Sequence, residues 1–210
     1  MPQVLKESVR ESLVAAAAEV FAKRGYERAA VGEIAAAAGL STGNVYRYFP
    51  GKRELFDAVV PPTFVRRFRE LLRRRVRALN GIRDVRDLPP EAPYHLASEE
   101  LLRFCIDHRL GVIVLLARSG GSRYARFAEH TVDDLVRLAV AHFESVDPAR
   151  AREVELRRTT RFDLTEIYRA FVQVLVAILV RFESEASIRE AVAAYTRYHL
   201  AGLKSFFEGE

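Results

Sequence analysis

Residues 41–48 read Ser-Thr-Gly-Asn-Val-Tyr-Arg-Tyr. Thr42, Gly43, Asn44, Tyr46, Arg47 and Tyr48 present a hydroxyl, bare backbone, an amide, a guanidinium and two phenols, with no acid among them. Such groups hydrogen-bond phosphate oxygens and base edges, and a carboxylate in their midst would repel phosphate. The residues just before them run Ile34-Ala35-Ala36-Ala37-Ala38-Gly39-Leu40. Two helices that cross at about 90–120° need a small residue where they approach, a residue tolerant of positive φ at the turn, and apolar residues that lock the angle. Ala35, Gly39, and the set Ile34, Ala38, Leu40, Val45 and Phe49 fill those roles in order. Ser41 is placed to cap the second of the two helices, whose positive N-terminal end would face phosphates or base edges in a major groove. This is a helix-turn-helix pattern.

Other chemistries find weaker support. Glu129-His130 and Asp133-Asp134 put a ligand pair at i, i+4 on one helix, but exposed acid-rich helix faces are common, and no metal is expected. Cys105 and His108 lie one turn apart without an argued third partner or oxyanion donor, so they make no nucleophile. Gly120-Gly121 reads as a helix break and not as a phosphate loop. Neither catalysis nor a cofactor is expected. The cluster Arg66-Arg67-Phe68-Arg69 and Arg73-Arg74-Arg75-Val76-Arg77 has an apolar stripe at helical spacing running between its cations, which reads as a solvated helix face.

The 210 residues are half apolar and 29% charged, an ordinary globular balance that leaves room for a core. One cysteine excludes an internal disulfide and a zinc framework. The apolar runs 111–117 and 174–180 are far shorter than the roughly 20 residues needed to span a bilayer, and the first residues lack the order of a signal peptide, so the cytoplasm is expected. The net charge of +5 is unevenly spread: residues 1–80 hold 15 basic against 8 acidic residues, and residues 81–210 hold 18 against 20. A basic stretch beside a near-neutral one fits contact with a polyanion at one end.

The elements that must position these groups are all helical by period. Leu5, Val9, Leu13, Ala16, Ala17, Val20 and Phe21 form one stripe, with Ser8 and Glu11 spaced as a capping box and Gly25 as a left-handed stop. Short helices follow over about 31–38 and from Ser41 to about Phe49. At that length neither is stable alone, so both must pack on the first. Helix resumes near Lys52 and is kinked or broken at Pro61-Pro62. Residues 80–95 read as an irregular connection, and further helices are expected near 96–108, 109–118, 122–146, 159–183 and 187–207.

Ile34-Ala35, Ala38-Gly39, Ser41, Gly43, Tyr46, Phe49, Lys52 and Leu55 fall on the signature of the TetR/AcrR-like bacterial transcriptional regulators, and Phe21, Gly25-Tyr26 and Val31 resemble that family's lead-in. The resemblance covers about residues 8–60; beyond it the chain is similar in length and helical layout. One departure is Ala29-Ala30, where relatives often carry a Thr or Ser that caps the second helix. The resemblance implies a three-helix DNA-binding unit over 1–52 and a helical ligand-binding and dimerisation domain over 53–210. It implies that Thr42, Gly43 and Asn44 lie closest to bases, that Tyr46 and Tyr48 reach phosphates or thymine methyls, that Arg47 faces base edges or the domain's flank, and that Lys52 sits on the DNA backbone.

The last two helices carry apolar stripes wider than one packing partner needs. Tyr168, Leu175, Leu179, Phe182, Tyr195, Tyr198, Leu203 and Phe206 are therefore expected at a two-fold, four-helix interface between identical subunits. Phe68, Phe104, His108, Leu115, Tyr124, Phe127, Thr131 and Phe171, apolar groups with a few polar tips, suit a small-molecule cavity and equally an ordinary core. The leading expectation is a ligand-responsive repressor that binds a pseudo-palindromic operator as a homodimer and is released by an apolar or aromatic molecule. The other reading is an all-helical enzyme or ligand carrier that retains a helix-turn-helix-like N-terminus.

Overall fold

The computed structural model describes residues 2–82, 84–85, 88–149 and 160–208, with the side chains of 2–5, 160 and 204–208 outside the description. Every regular element among these residues is a helix: α1 Pro2–Arg24, α2 Val31–Ala37, α3 Thr42–Tyr48, α4 Lys52–Val59, α5 Pro62–Arg77, α6 Pro93–Asp107, α7 Arg109–Ala117, α8 Phe127–Val146, α9 Thr160–Arg181 and α10 Glu185–Glu208. No described helix is long and apolar enough to cross a membrane.

Contacts divide the chain into two compact units, one of residues 1–66 with 108–128, the other of 67–107 with 129–210. In the first, α1 starts at Pro2, where the ring's lack of an N–H costs nothing because the first helical amide has no acceptor anyway. Ser8 and Glu11 therefore sit in the helix interior and not at its N-terminus, where the expected capping box would have to lie. Gly25 ends α1 in the left-handed region at φ 78°, with Lys23 and Arg24 facing the negative end of the helix dipole. Leu13, Ala16, Ala17 and Phe21 of the expected stripe are buried, and Phe21 packs on Phe56 of α4 with ring centroids 5.5 Å apart. Burying each of these rings stabilises by roughly 1.5–3 kcal/mol.

The break at Pro61-Pro62 is present: α4 stops at Val59 and α5 opens on Pro62. α7 completes this core with Val112–Leu116, all buried. Just beyond it, Arg118 is tied to the end of α1. Its carbonyl accepts from the Tyr26 amide at 2.8 Å and its Nε donates to the Ala22 carbonyl at 3.2 Å.

α8 begins at Phe127, later than the expected 122. Gly121 is left-handed at φ 76°, and the Ser122 hydroxyl accepts from the Tyr124 amide at 3.1 Å, so the intervening residues form turns. In the second unit, Phe68, Leu71, Leu72 and Val76 of α5 are buried. α6 starts at Pro93, inside the stretch expected to be irregular, because that proline takes the first helical position and does not break one. Three arginines of α5 are held by acids: Arg67 and Arg74 reach Glu100, and Arg73 Nη2 lies 2.6 Å from Asp134 of α8. α9 and α10 pack through Tyr168, Phe171, Tyr195 and His199, and Arg189 bonds Glu99 of α6 with both Nη atoms at 2.8 Å.

Candidate nucleic-acid interface

The α2–α3 turn is built by local bonds. Gly39, at φ 68°, donates its amide to the Ala36 carbonyl at 3.1 Å, and Leu40 donates to Ala35 at 2.9 Å. This is the paired closure that a left-handed residue makes possible at a helix end. Ser41 then caps α3, its Oγ accepting from the Asn44 amide at 3.3 Å. Val45 and Phe49 are buried and fix the helix against its neighbours; Thr42, Gly43 and Arg47 are exposed, as is Tyr46 at 54%, while Asn44 and Tyr48 are half-buried. A Cβ at Gly43 would come near one atom, Ser41 Oγ at 4.0 Å. Packing within the chain therefore does not require glycine there.

α2 starts without a side-chain cap. The Ala30 amide donates to Glu33 Oε2 at 3.2 Å, but Ala30 has no side-chain oxygen to cap the helix in return, and Glu33 also faces Arg24 at 3.4 Å. Lys52 supplies what the turn lacks. Its Nζ donates to the carbonyls of Glu27 at 3.0 Å and Ala29 at 3.2 Å, and lies 4.8 Å from the centre of the Tyr26 ring. Two of its three N–H groups thus pin the chain entering α2. Sequence reasoning missed this role because the partners lie 23 and 25 residues away. It also missed Arg10, whose guanidinium sits 5.3 Å over the Phe49 ring and brings an α1 cation to the end of α3.

Residues 13–59 match the family model for bacterial regulatory proteins of the tetR family. The match covers the helix-turn-helix segment and the helices on either side of it, and no more of the 210 residues. Among solved structures, the chain is similar to a tetR-family transcriptional regulator from Streptomyces coelicolor, with 19% identity, 96% of this chain and 88% of that one covered, and a TM-score of 0.37. It is also similar to NalD, the secondary repressor of the MexAB-OprM multidrug efflux pump in Pseudomonas aeruginosa, with 18% identity, 91% and 96% covered, and a TM-score of 0.37.

The residues expected around a small molecule divide between the units. His108, Leu115, Tyr124 and Phe127 belong to the first, where Leu115 and Phe127 are core and His108 is exposed with its ring edge-on to Phe64 at 5.6 Å. Phe68, Phe104, Thr131 and Phe171 belong to the second, where Phe68 and Phe104 stand 6.2 Å apart. The first unit has a cleft of about 340 Å³ lined by Tyr26, Arg53, Phe56, Asp57, Gly121, Ser122 and Arg123, with Arg123 Nε 3.1 Å from Asp57 Oδ1.

Of the residues expected between subunits, Tyr168 and Leu179 are buried within the chain itself, so their side chains serve its own core. Tyr198 is 74% exposed, Leu175, Phe182, Tyr195 and Leu203 are half-buried, and the Phe206 side chain lies outside the description. Phe162 and Val180 add to the exposed apolar area of α9. Elsewhere, Glu129, His130 and Asp133 are exposed on α8 while Asp134 is engaged by Arg73 and Arg137. Burial pushes the Cys105 thiol up to about 12, which keeps it a thiol and unreactive.

Proposed function

We propose that this chain is a tetR-family transcriptional repressor that binds a pseudo-palindromic operator as a homodimer and is released by a small apolar or aromatic molecule. Residues 1–52 would read DNA, and 53–210 would take the effector and the second subunit. The observation that carries the reading is α3: a capped helix anchored by Val45 and Phe49, with Thr42, Gly43, Tyr46 and Arg47 outward and no acid on it. With its N-terminus toward the duplex, backbone N–H groups would meet phosphate, and the absent Cβ of Gly43 would let the backbone approach closely. Thr42, Asn44 and Arg47 would select bases, and Tyr46 and Tyr48 would hold phosphates or thymine methyls. The third N–H of Lys52 remains for a phosphate. Reading two half-sites requires partners about 34–36 Å apart, and the exposed Phe162, Val180 and Tyr198 of α9 and α10 supply apolar surface for a two-fold contact.

Mobility shift with the DNA upstream of the chain's own reading frame, with sedimentation alongside, tests this reading. Salt-sensitive, sequence-selective binding by a dimer is expected. A monomer at micromolar concentration, or no retardation of any fragment, would contradict it.

A further inference from the structure

The arginines of α5 are not equivalent. Arg67, Arg73 and Arg74 each face a carboxylate, whereas Arg75 meets none among the described residues. Its Nε donates to Ser98 Oγ at 3.1 Å, its Nη2 donates to Tyr94 Oη at 2.8 Å, and its guanidinium carbon lies 5.2 Å from the Tyr94 ring centre. Behind it stand Tyr168 of α9 and His199 of α10, both buried, their rings 5.6 Å apart. Neither offers a counter-charge. Burial raises the phenol of Tyr168, and burial together with the Arg75 charge lowers His199 to about 4. The cluster therefore carries one positive charge among neutral groups. A partly buried guanidinium left to hydroxyls alone is under-satisfied, and its planar fork is shaped for two parallel bonds to a carboxylate. Arg75, Ser98, Phe171 and Tyr195 are half-exposed and so reachable, and the Phe171 ring lies 4.7 Å from that of His199 and 6.0 Å from that of Tyr195.

We propose that Arg75, with Ser98 and Tyr94, receives the carboxylate of a small monoanionic effector whose aromatic or aliphatic body lies against Phe171 and Tyr195. This deepens the ligand-responsive reading above and rests on it.

The test uses the full chain, with benzoate and octanoate as probes, benzamide and octanamide as their neutral matches, and sodium chloride held constant. Calorimetric titration should show at least one acid binding about tenfold or more tighter than its amide. Arg75→Gln should weaken that acid by about tenfold or more, Arg75→Lys should restore part of the loss, and Arg74→Gln should leave it unchanged. Helical circular dichroism checks folding; if Arg75→Gln does not fold, Arg75→Lys must still weaken the acid relative to the native chain. Binding of neither acid, equal binding of acid and amide, or full binding by both Arg75 variants would overturn the proposal. An operator shift with each probe separates the two claims. Release by an amide with no binding of either acid sinks the carboxylate site and keeps the effector reading. Binding of an acid at Arg75 without operator release keeps the site and removes its regulatory role.

Discussion

Arg47 on α3 and Arg73 on α5 are both cations on short-range amphipathic patterns, yet the molecule uses them in opposite ways. Arg47 is exposed and has no carboxylate partner among the described residues, whereas Arg73 is locked to Asp134 at 2.6 Å, with Arg67 and Arg74 similarly held by Glu100. The basic excess of residues 1–80 thus mixes two kinds of charge, one open to a polyanion and one consumed in packing. Sorting by compact unit separates them. The first unit holds 13 basic against 7 acidic residues, a net of +6, and the second holds 20 against 21. The first unit, which takes only Arg66 from the α5 cluster, stays basic because 108–128 brings Arg109, Arg118, Arg123 and Arg126 and no acid.

Acid should separate the two units most strongly. His199 is lowered from 6.5 to about 4, and burial also lowers His142, so the unfolded chain takes up these protons first. Their contribution is complete above about pH 6.5 and is lost as pH falls toward about 4, by about 3 kcal/mol for His199. Hydrogen exchange between pH 7 and pH 4.5 should show protection falling in α9 and α10 before α1–α4. Equal loss in both would erase the distinction.

Next in size is Arg73→Ala. Burial raises the Asp134 carboxyl, but hydrogen bonds from Arg73 and Arg137 outweigh it and hold the group below its ordinary value. Removing Arg73 should lower stability by about 1–2 kcal/mol, toward the lower end because Arg73 is itself partly exposed, and should leave DNA affinity unchanged. A denaturant melt paired with an anisotropy titration reads both. Gly43→Ala should do the reverse, raising stability by up to about 1 kcal/mol through helix propensity while weakening DNA binding. Weaker stability with intact binding would show that Gly43 serves the fold. The smallest effect is that of Lys52→Ala, which should reduce the slope of log affinity against log salt by about one unit and loosen the turn at Glu27 and Ala29. An unchanged slope would confine Lys52 to its two carbonyls.

What was readable in the sequence was the chemistry that acts within a few residues. Gly25 and Gly39 announce positive φ, Ser41 announces a cap, and Pro61-Pro62 announces a break, because each conclusion needs only the neighbouring backbone. Ser8 and Glu11 had the spacing of a cap without being at an end, since nothing local says where α1 begins. Pro93 reads as part of a loop because a proline breaks a helix interior and opens a helix equally well. Contacts distant in sequence were invisible: Lys52 on the Glu27 and Ala29 carbonyls, Arg118 on the end of α1, and Arg75 turned to Tyr94 while its neighbours found acids. Tyr168 and Leu179 share a stripe with half-exposed residues, and period alone does not say which side of a broad stripe meets the chain's own core.

The most direct test of the account is the salt dependence of operator binding by Tyr46→Ala/Arg47→Ala beside Arg73→Ala/Arg74→Ala. The α3 pair should lose sequence-selective binding by about 2–6 kcal/mol with its fold intact, and the α5 pair should bind DNA like the native chain while melting earlier. Equal binding by the α3 pair and the native chain, or loss of binding confined to the α5 pair, would contradict it.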